Sequence, residues 1–158
     1  MKEYYRLILG RSNIYAEECH AGSFIGTDFL IRQDLTGKLP ERWQEFNERF
    51  RPLWMEANPG KTRVASGLAC GALWTVSKGI LEGDIVLCPN GQGIYLIGEV
   101  VGPYYYSEGE ILPHRRPVRW MPQTILRDDL STAMRNSLGS IGTVMSATKY
   151  SEEIEALL

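Results

Sequence analysis

The feature that most constrains the fold is a strand-rich segment in the second half of the chain, residues 83–122. Its apolar residues alternate or run continuously through GDIVLCP, GIYLIGEVVGPYYY and RPVRWMP. Asn90-Gly91-Gln92-Gly93 separates the first two stretches, and an Asn-Gly pair between apolar runs is a strong signal for a β-hairpin. The segment therefore predicts at least three antiparallel strands.

Two further strands are predicted near the N-terminus. The β-forming residues from Tyr4 end at Gly10, and the aromatic and β-branched run from Gly22 to Ile31 surrounds a central glycine. A glycine inside such a run favours a bent or bulged strand.

Between these strands and the strand-rich segment, the apolar spacing changes to three and four residues, which predicts two helices. The first begins at Pro40, ends near Asn58 and has an apolar stripe of Trp43, Phe46, Phe50, Leu53 and Trp54. The second runs from Val64 to Ile80, with Leu68, Leu73, Val76 and Ile80 near one face. Its Gly67 and Gly71 weaken it by roughly 1 kcal/mol each relative to alanine, which is tolerable if another backbone packs closely against them.

Two short helices are predicted at the C-terminal end. Asp129 or Ser131 caps the first, Gly139 ends it, and the second begins at Ser151. This order of elements predicts an α+β fold, in which a small antiparallel β-barrel curls up and the helices pack outside it.

Composition fits one globular domain, residues 1–158. Apolar residues make up 44% and charged residues 23%, which excludes a disordered chain, and the formal net charge is −2. No apolar run approaches the roughly 20 residues of a membrane span, and no signal peptide precedes the first strand. We therefore expect a cytoplasmic protein.

The usual signatures of enzymes and metal sites are missing from the sequence. The glycines of GSFIG and GLACG lack the Lys-Ser/Thr of a phosphate-binding loop, and Asp84 is not followed by the Glu-x-Lys of a metal-dependent nuclease. Cys19, Cys70 and Cys88 are scattered, without ligand spacing. The sequence thus predicts a non-enzymatic protein with neither a cofactor nor a metal site.

Aromatic and cationic residues lie unusually close together between Gly102 and Pro122. Tyr104, Tyr105 and Tyr106 cannot all face the core, because successive strand residues alternate faces. His114, Arg115 and Arg116 follow within twelve residues. Stacking rings beside cations are what a nucleic-acid binding surface needs. The alternative is that the rings belong to the core or a barrel rim and the cations to a solvated loop.

Several short motifs in this half of the chain are similar to those of the EVE and YTH domains, in the PUA-like superfamily. The matching residues are Gly93, Gly98, Glu99, Val100, Val118, Trp120, Leu130, Arg135, Thr143 and Val144. The phrases SFIGTDF, GALW and GDIV, followed by YYY and RRPVRW, resemble the EVE-like N-terminal domains of modification-dependent restriction proteins, including the archaeal McrB type.

The resemblance implies a PUA-like fold that binds nucleic acid and holds an extruded, modified base in an aromatic cage. YTH domains hold N6-methyladenine in RNA, and the restriction-associated relatives hold a methylated base in duplex DNA. This chain has Phe24, Ile25 and Phe29 where a YTH domain has its first cage tryptophan, so its cage would be built differently. Such a protein would be the specificity domain, and a nuclease or GTPase would lie elsewhere in a longer protein or on a partner chain.

We assign candidate residues to this function. The residues predicted to form the base pocket are Phe24, Asp28, Phe29, Trp74, Tyr104, Tyr105 and Tyr106. The residues predicted to contact the DNA backbone are Lys61, Arg63, His114, Arg115 and Arg116. Asp28 would accept a hydrogen bond from an exocyclic amine, unless it only caps a turn.

The four tryptophans receive different assignments, and two alternative functions stay open. Trp74 is a cage wall or a buried helix residue, and Trp43, Trp54 and Trp120 are assigned to the core. The alternatives are a reader of modified or single-stranded RNA, and a small enzyme that acts on a nucleotide or nucleic acid.

Overall fold

The computed structural model describes residues 1–158 and consists of one seven-stranded sheet with five α-helices around it. The strands are β1 (Tyr4–Leu7), β2 (Phe24–Thr27), β3 (Ile85–Pro89), β4 (Ile94–Val100), β5 (Tyr105–Tyr106), β6 (His114–Leu126) and β7 (Val144–Ser146). The helices are α1 (Ala16–Gly22), α2 (Trp43–Ala57), α3 (Arg63–Trp74), α4 (Thr132–Leu138) and α5 (Ser151–Ala156). The helical path of α3 continues through a π-helical turn, Thr75–Gly79.

The sheet is a curled, open half-barrel with the strand order β2-β6-β4-β3-β1-β7, and β5 also pairs with β6. The α+β class and the curled sheet are confirmed, but the sheet is mixed, because β1 and β3 run parallel, with Tyr4 opposite Ile85. Parallel neighbours need a long crossover, and here α1, β2, α2 and α3 supply it. The prediction of a wholly antiparallel sheet is therefore wrong for this pair.

The predicted hairpin between β3 and β4 is confirmed. The backbone amide of Asn90 donates to the carbonyl of Ile94 at 3.0 Å, and the Asn90 side chain accepts from the amide of Gln92 at 2.8 Å. Gly91 and Gly93 both have a φ of 81°, the left-handed region in which glycine is favoured. The turn sequence thus determines the register of the two central strands.

The predicted strand from Gly22 to Ile31 is wrong beyond Thr27. Phe29 and Leu30 have φ values of 54° and 61°, which end the extended conformation. The chain then forms a loop, residues 28–42, without regular helix or strand. The structure also contains α1, which the apolar pattern does not predict, because this short helix buries only Ala16 and Cys19 and so has no apolar stripe.

The two central helices are confirmed, with corrections to their buried faces. Trp54 is buried, but Trp43 begins α2 and is 48% exposed, so its assignment to the core is wrong. Leu68 is 72% exposed, whereas Leu73 is fully buried. Five residues separate these leucines, which puts them about 140° apart around a helix. Leu68 therefore faces away from the core.

Three apolar clusters form the core. The first lies between one face of the sheet, α1 and the π-helical turn, the second between the other face and α4 and α5, and the third between α2, α3 and the loop 28–42. Trp120 is half-buried beside the first cluster, and its indole Nε1 donates to the carbonyl of Cys19 at 3.1 Å. Ser131 caps α4, since its hydroxyl accepts from the amide of Met134. No helix has the length and apolar composition needed to cross a membrane.

Candidate functional site

His114 lies in the interior, at the start of β6. Its Nε2 donates to the carbonyl of Ile31, so in the neutral ring Nδ1 is the acceptor, and the Tyr104 hydroxyl donates to it at 2.8 Å. That hydroxyl in turn accepts from the amide of Leu35 at 3.1 Å. Burial lowers the pKa of His114 and raises the pKa of Tyr104 to about 12. The chain of hydrogen bonds fastens the loop 28–42 to the sheet.

Arg116 is also an interior residue, 4% exposed. Its guanidinium donates to the carbonyls of Gly102, Val76 and Ile80, and so it caps the C-terminal end of the π-helical turn. Burial lowers its pKa. These positions contradict the prediction that His114 and Arg116 contact phosphates, because neither side chain reaches the surface.

Arg115 points to the opposite side of β6 and is half-buried. Its Nε and Nη2 donate to the carbonyls of Leu112 and Ile111, at 3.0 and 2.7 Å. The guanidinium carbon lies 3.8 Å from the centroid of the Phe24 ring, a cation–π contact. Phe24 is 6% exposed, so this ring is covered by the arginine instead of being open to a base.

The three tyrosines and Trp74 do not form a common pocket with Phe24. The Tyr106 ring packs against His114, with centroids 5.2 Å apart, and Tyr105 is 38% exposed on the edge strand. Trp74 packs on the third cluster, and its Nε1 donates to the carbonyl of Pro40 at 2.8 Å. The structure thus supports the alternative that these rings are core and rim residues.

Asp28 and Phe29 do line a common pocket at the open edge of the half-barrel. This edge pocket has a volume of about 300 Å³, and its lining includes Ile8, Arg11, Thr27, Asp28, Phe29 and Leu112. It lies where β2 ends, between the chain leaving β1 and the chain entering β6. An apolar pocket with a few polar groups at an edge of this kind can take a small planar group.

The polar groups of the edge pocket are incompletely bonded. Thr27 is 3% exposed, yet its Oγ1 has no hydrogen-bond partner. The Asp28 carboxylate accepts from the amide of Leu30 and from the guanidinium of Arg32, at 3.2 Å in each case. Arg32 is 65% exposed, so this ion pair lies in water. The wall of the pocket therefore contains a buried hydroxyl without a partner and a carboxylate that is held by an exposed ion pair.

A second, larger cleft opens beside the edge pocket and shares Phe29 and Thr143 with it. This helix cleft has a volume of about 920 Å³ and lies between α2, α3 and the chain that enters β7. Trp43, Arg51 and Arg63 line it, whereas Lys61 is exposed outside it. Gly71 forms part of its floor, and a Cβ at this position would have no atom within 4 Å, so the expected close packing of another backbone is absent.

A third cleft, of about 1100 Å³, lies on the other side of the chain that enters β7. Arg11 and Arg127 are exposed along this basic cleft. Arg6 is buried beneath it and donates to the carbonyls of Leu138, Ser140 and Gly142, which holds the loop between α4 and β7 in place.

The chain belongs to a domain family of unknown function, DUF8426, whose model matches residues 5–147. No curated protein matches the chain.

Sequence reasoning missed Thr27, Trp43, Arg51 and Arg11 as candidate residues. Thr27 directly precedes Asp28, but an unpaired hydroxyl is visible only when the packing is known. The apolar spacing of α2 includes Trp43, and this spacing assigned it to the core. The helix begins at Trp43 instead of the predicted Pro40, which places this side chain at the end of the helix, so no sequence signal identified it.

Proposed function

We propose that this chain binds DNA carrying a modified, methylated base and holds the extruded base in the edge pocket. On this proposal the domain is of the PUA-like, EVE type and acts as the specificity domain of a modification-dependent restriction system. The nuclease or GTPase activity would belong to another region or to a partner chain. The observation that carries the proposal is the unpaired Thr27 hydroxyl beside the Asp28 carboxylate and the Phe29 ring.

The polar groups of the pocket suit the edge of a nucleobase. A buried hydroxyl without a partner costs about 1–3 kcal/mol, and a ring nitrogen or amine of a base would recover that cost. The exposed Asp28–Arg32 ion pair contributes only about 0–1 kcal/mol. An exocyclic amine can therefore replace Arg32 at Asp28 with little loss.

The apolar groups account for the extrusion and for the recognition of a methyl group. Taking a base out of a duplex costs a few kcal/mol, and stacking on a ring such as Phe29 returns about 1–3 kcal/mol. A buried methyl group adds about 0.8 kcal/mol, so selectivity depends on close contact with Ile8 and Leu112. Phe29 itself has a φ of 54°, and residues held in such strained conformations cluster at functional sites.

The experiment that tests the proposal replaces Thr27 by valine, which keeps the shape and removes the hydroxyl. Affinity for duplexes containing N6-methyladenine or 5-methylcytosine is compared with affinity for the unmodified duplex and for single-stranded RNA of the same sequence. We expect the wild type to prefer one methylated duplex, and Thr27→Val to lose about fivefold to tenfold in affinity for it. The free energy of unfolding should be unchanged or higher, because an unpaired buried hydroxyl has been removed.

The matched control is Thr124→Val, an exposed threonine on β6. This variant should bind the methylated and the unmodified duplex with the same affinities as the wild type. Equal binding of the methylated and unmodified duplexes by the wild type would contradict the proposal. A preference for RNA in the same titrations would support the alternative of an RNA reader.

A further inference from the structure

The floor of the helix cleft includes two glycines of α3, with Val64, Leu68 and Ala72 beside them. Gly67 and Gly71 occupy successive turns of α3, and nothing lies within 4 Å of a Cβ built on Gly71. Glycine inside a helix costs about 1 kcal/mol relative to alanine. These two positions therefore lower the stability of α3 and leave a strip of backbone without side chains. The strip is open at Gly71, whereas the Arg51 and Asn47 side chains lie within 4 Å of a Cβ built on Gly67.

Two polar side chains on α2 reach this strip and lack partners. Asn47 lines the cleft and is 3% exposed, and its Oδ1 has no hydrogen-bond partner, although its Nδ2 donates to the carbonyl of Gly67 at 3.3 Å. Arg51, one helical turn later, lies with its Nη2 3.7 Å from a Cβ built on Gly67, and its buried Nε is also unpaired. Buried polar atoms are rarely left without a partner.

The charge of the cleft favours an anion with an aromatic ring. Arg51 and Arg63 line it, and its lining contains no Asp or Glu. The Trp43 side chain, 48% exposed, stands at the cleft and offers a stacking face. Phe29 and Thr143 belong to both the cleft and the edge pocket, so one strand can contact both sites.

We propose that the helix cleft is a nucleotide subsite. The base lies on the strip formed by Gly67 and Gly71, beside Trp43 and within reach of Asn47, and the phosphate is held by Arg51 and Arg63. That this nucleotide is a neighbour of the base in the edge pocket rests on the proposed function. The subsite would extend the recognised sequence by one unstacked nucleotide.

The test uses the full chain and the four 2′-deoxyribonucleoside 5′-monophosphates as probes, with inorganic phosphate and deoxyadenosine as partial probes. Binding is measured by calorimetric titration. We expect saturable binding of at least one monophosphate, and weaker binding of both partial probes. Gly71→Leu fills the cleft and should lower the affinity by about tenfold or more. The variant should fold at least as stably as the wild type, because leucine is the better helix former and meets no neighbour there.

Two controls make the result specific. Arg63→Ala should weaken binding severalfold, whereas Lys61→Ala, two residues earlier and outside the cleft, should not. Thr124→Val, an exposed position on β6 outside the cleft, should leave mononucleotide affinity unchanged. No saturable binding by the wild type, full affinity in Gly71→Leu, or equal losses in Arg63→Ala and Lys61→Ala would each overturn the subsite. A wild type that binds mononucleotides but does not distinguish methylated from plain duplex would overturn only the proposed function.

Discussion

At the scale of single residues, the buried polar side chains of this protein differ in how many hydrogen bonds they make. Arg6 and Arg116 are buried, and each donates to three backbone carbonyls, although the Nε of Arg6 has no partner. Thr27 and Asn47 are equally buried, but each keeps one oxygen without a partner. The first pair stabilises the fold, and the second pair lines the two candidate binding sites.

Arg116 and Arg119 provide a direct comparison of a buried and an exposed arginine on β6. Arg116→Ala leaves three buried carbonyls without their donor, so we expect the free energy of unfolding to fall by on the order of 3 kcal/mol. Arg119 is 65% exposed and paired with Glu99, so Arg119→Ala should cost about 0–1 kcal/mol. Urea denaturation of both variants measures the difference, and equal losses would contradict the structural role of Arg116.

His114 makes stability depend on pH. Burial lowers its folded pKa below the ordinary value of 6.5, so below about pH 6.5 the unfolded chain binds a proton that the folded chain does not. Stability is therefore full above that pH and falls as the pH decreases, by at most about 1.4 kcal/mol per unit. Asp28 and Asp34 oppose the shift by attracting the proton. Urea denaturation between about pH 7.5 and 5 should show this slope, and His114→Gln should flatten it. If His114→Gln keeps the slope of the wild type, other titrating groups cause the pH dependence.

The alternation of side chains along β6 explains why His114 and Arg116 were wrongly assigned to the DNA backbone. His114, Arg116 and Val118 share one face and are buried, whereas Arg115 and Arg119 lie on the other. The apolar Val118 indicates which face of β6 is buried. Because side chains two residues apart share a face, the alternation that predicts an exposed tyrosine also predicts that Arg116 is buried. Alternation cannot predict which carbonyls accept the hydrogen bonds of the buried guanidinium, because these carbonyls come from the π-helical turn and from Gly102.

At the scale of elements, the sequence predicted those whose signals are local. The turn at Asn90-Gly91, the Ser131 cap and the apolar stripes of α2 and α3 all depend on neighbouring residues. The loop 28–42 and the parallel pairing of β1 with β3 depend on contacts between distant segments, such as the bond from His114 to Ile31. A loop of that length in a compact domain is often functional, and this one carries Asp28 and Phe29 into the edge pocket.

Two glycines predict opposite effects of the same substitution. A Cβ on Gly26 in β2 would lie 2.7 Å from the carbonyl oxygen of Leu112 and 2.9 Å from that of His114, so Gly26→Ala must separate β2 from β6. We expect it to lower the free energy of unfolding by about 1–3 kcal/mol. Gly71→Ala meets no atom and should raise it by about 1 kcal/mol. Thermal unfolding of both variants measures these changes in stability. A stabilised Gly26→Ala would show that β2 does not pair with β6 as described.

At the scale of the whole molecule, charge is distributed unevenly. The chain has a formal net charge of −2, yet the linings of the edge pocket, helix cleft and basic cleft contain five arginines and a single carboxylate, Asp28. The clefts adjoin, because each shares Thr143 with the others. An acidic protein with one basic face can bind a polyanion, since the local field depends on where the charges lie.

This distribution predicts how binding to DNA responds to salt. The logarithm of the binding constant should fall linearly with the logarithm of salt concentration, by about 0.9 per phosphate contact. Arg11 and Arg127 are exposed in the basic cleft, so replacing both by alanine should reduce the slope by about 1–2 units for methylated and unmodified duplexes alike. Arg119→Ala should leave the slope unchanged, since its guanidinium lies outside the three clefts and is paired with Glu99.

The measurement is fluorescence anisotropy over a series of salt concentrations. A slope that depends on Arg119 but not on Arg11 and Arg127 would place the DNA beside Arg119 and away from the basic cleft. An equal reduction in all variants would indicate attraction to net charge without a defined interface.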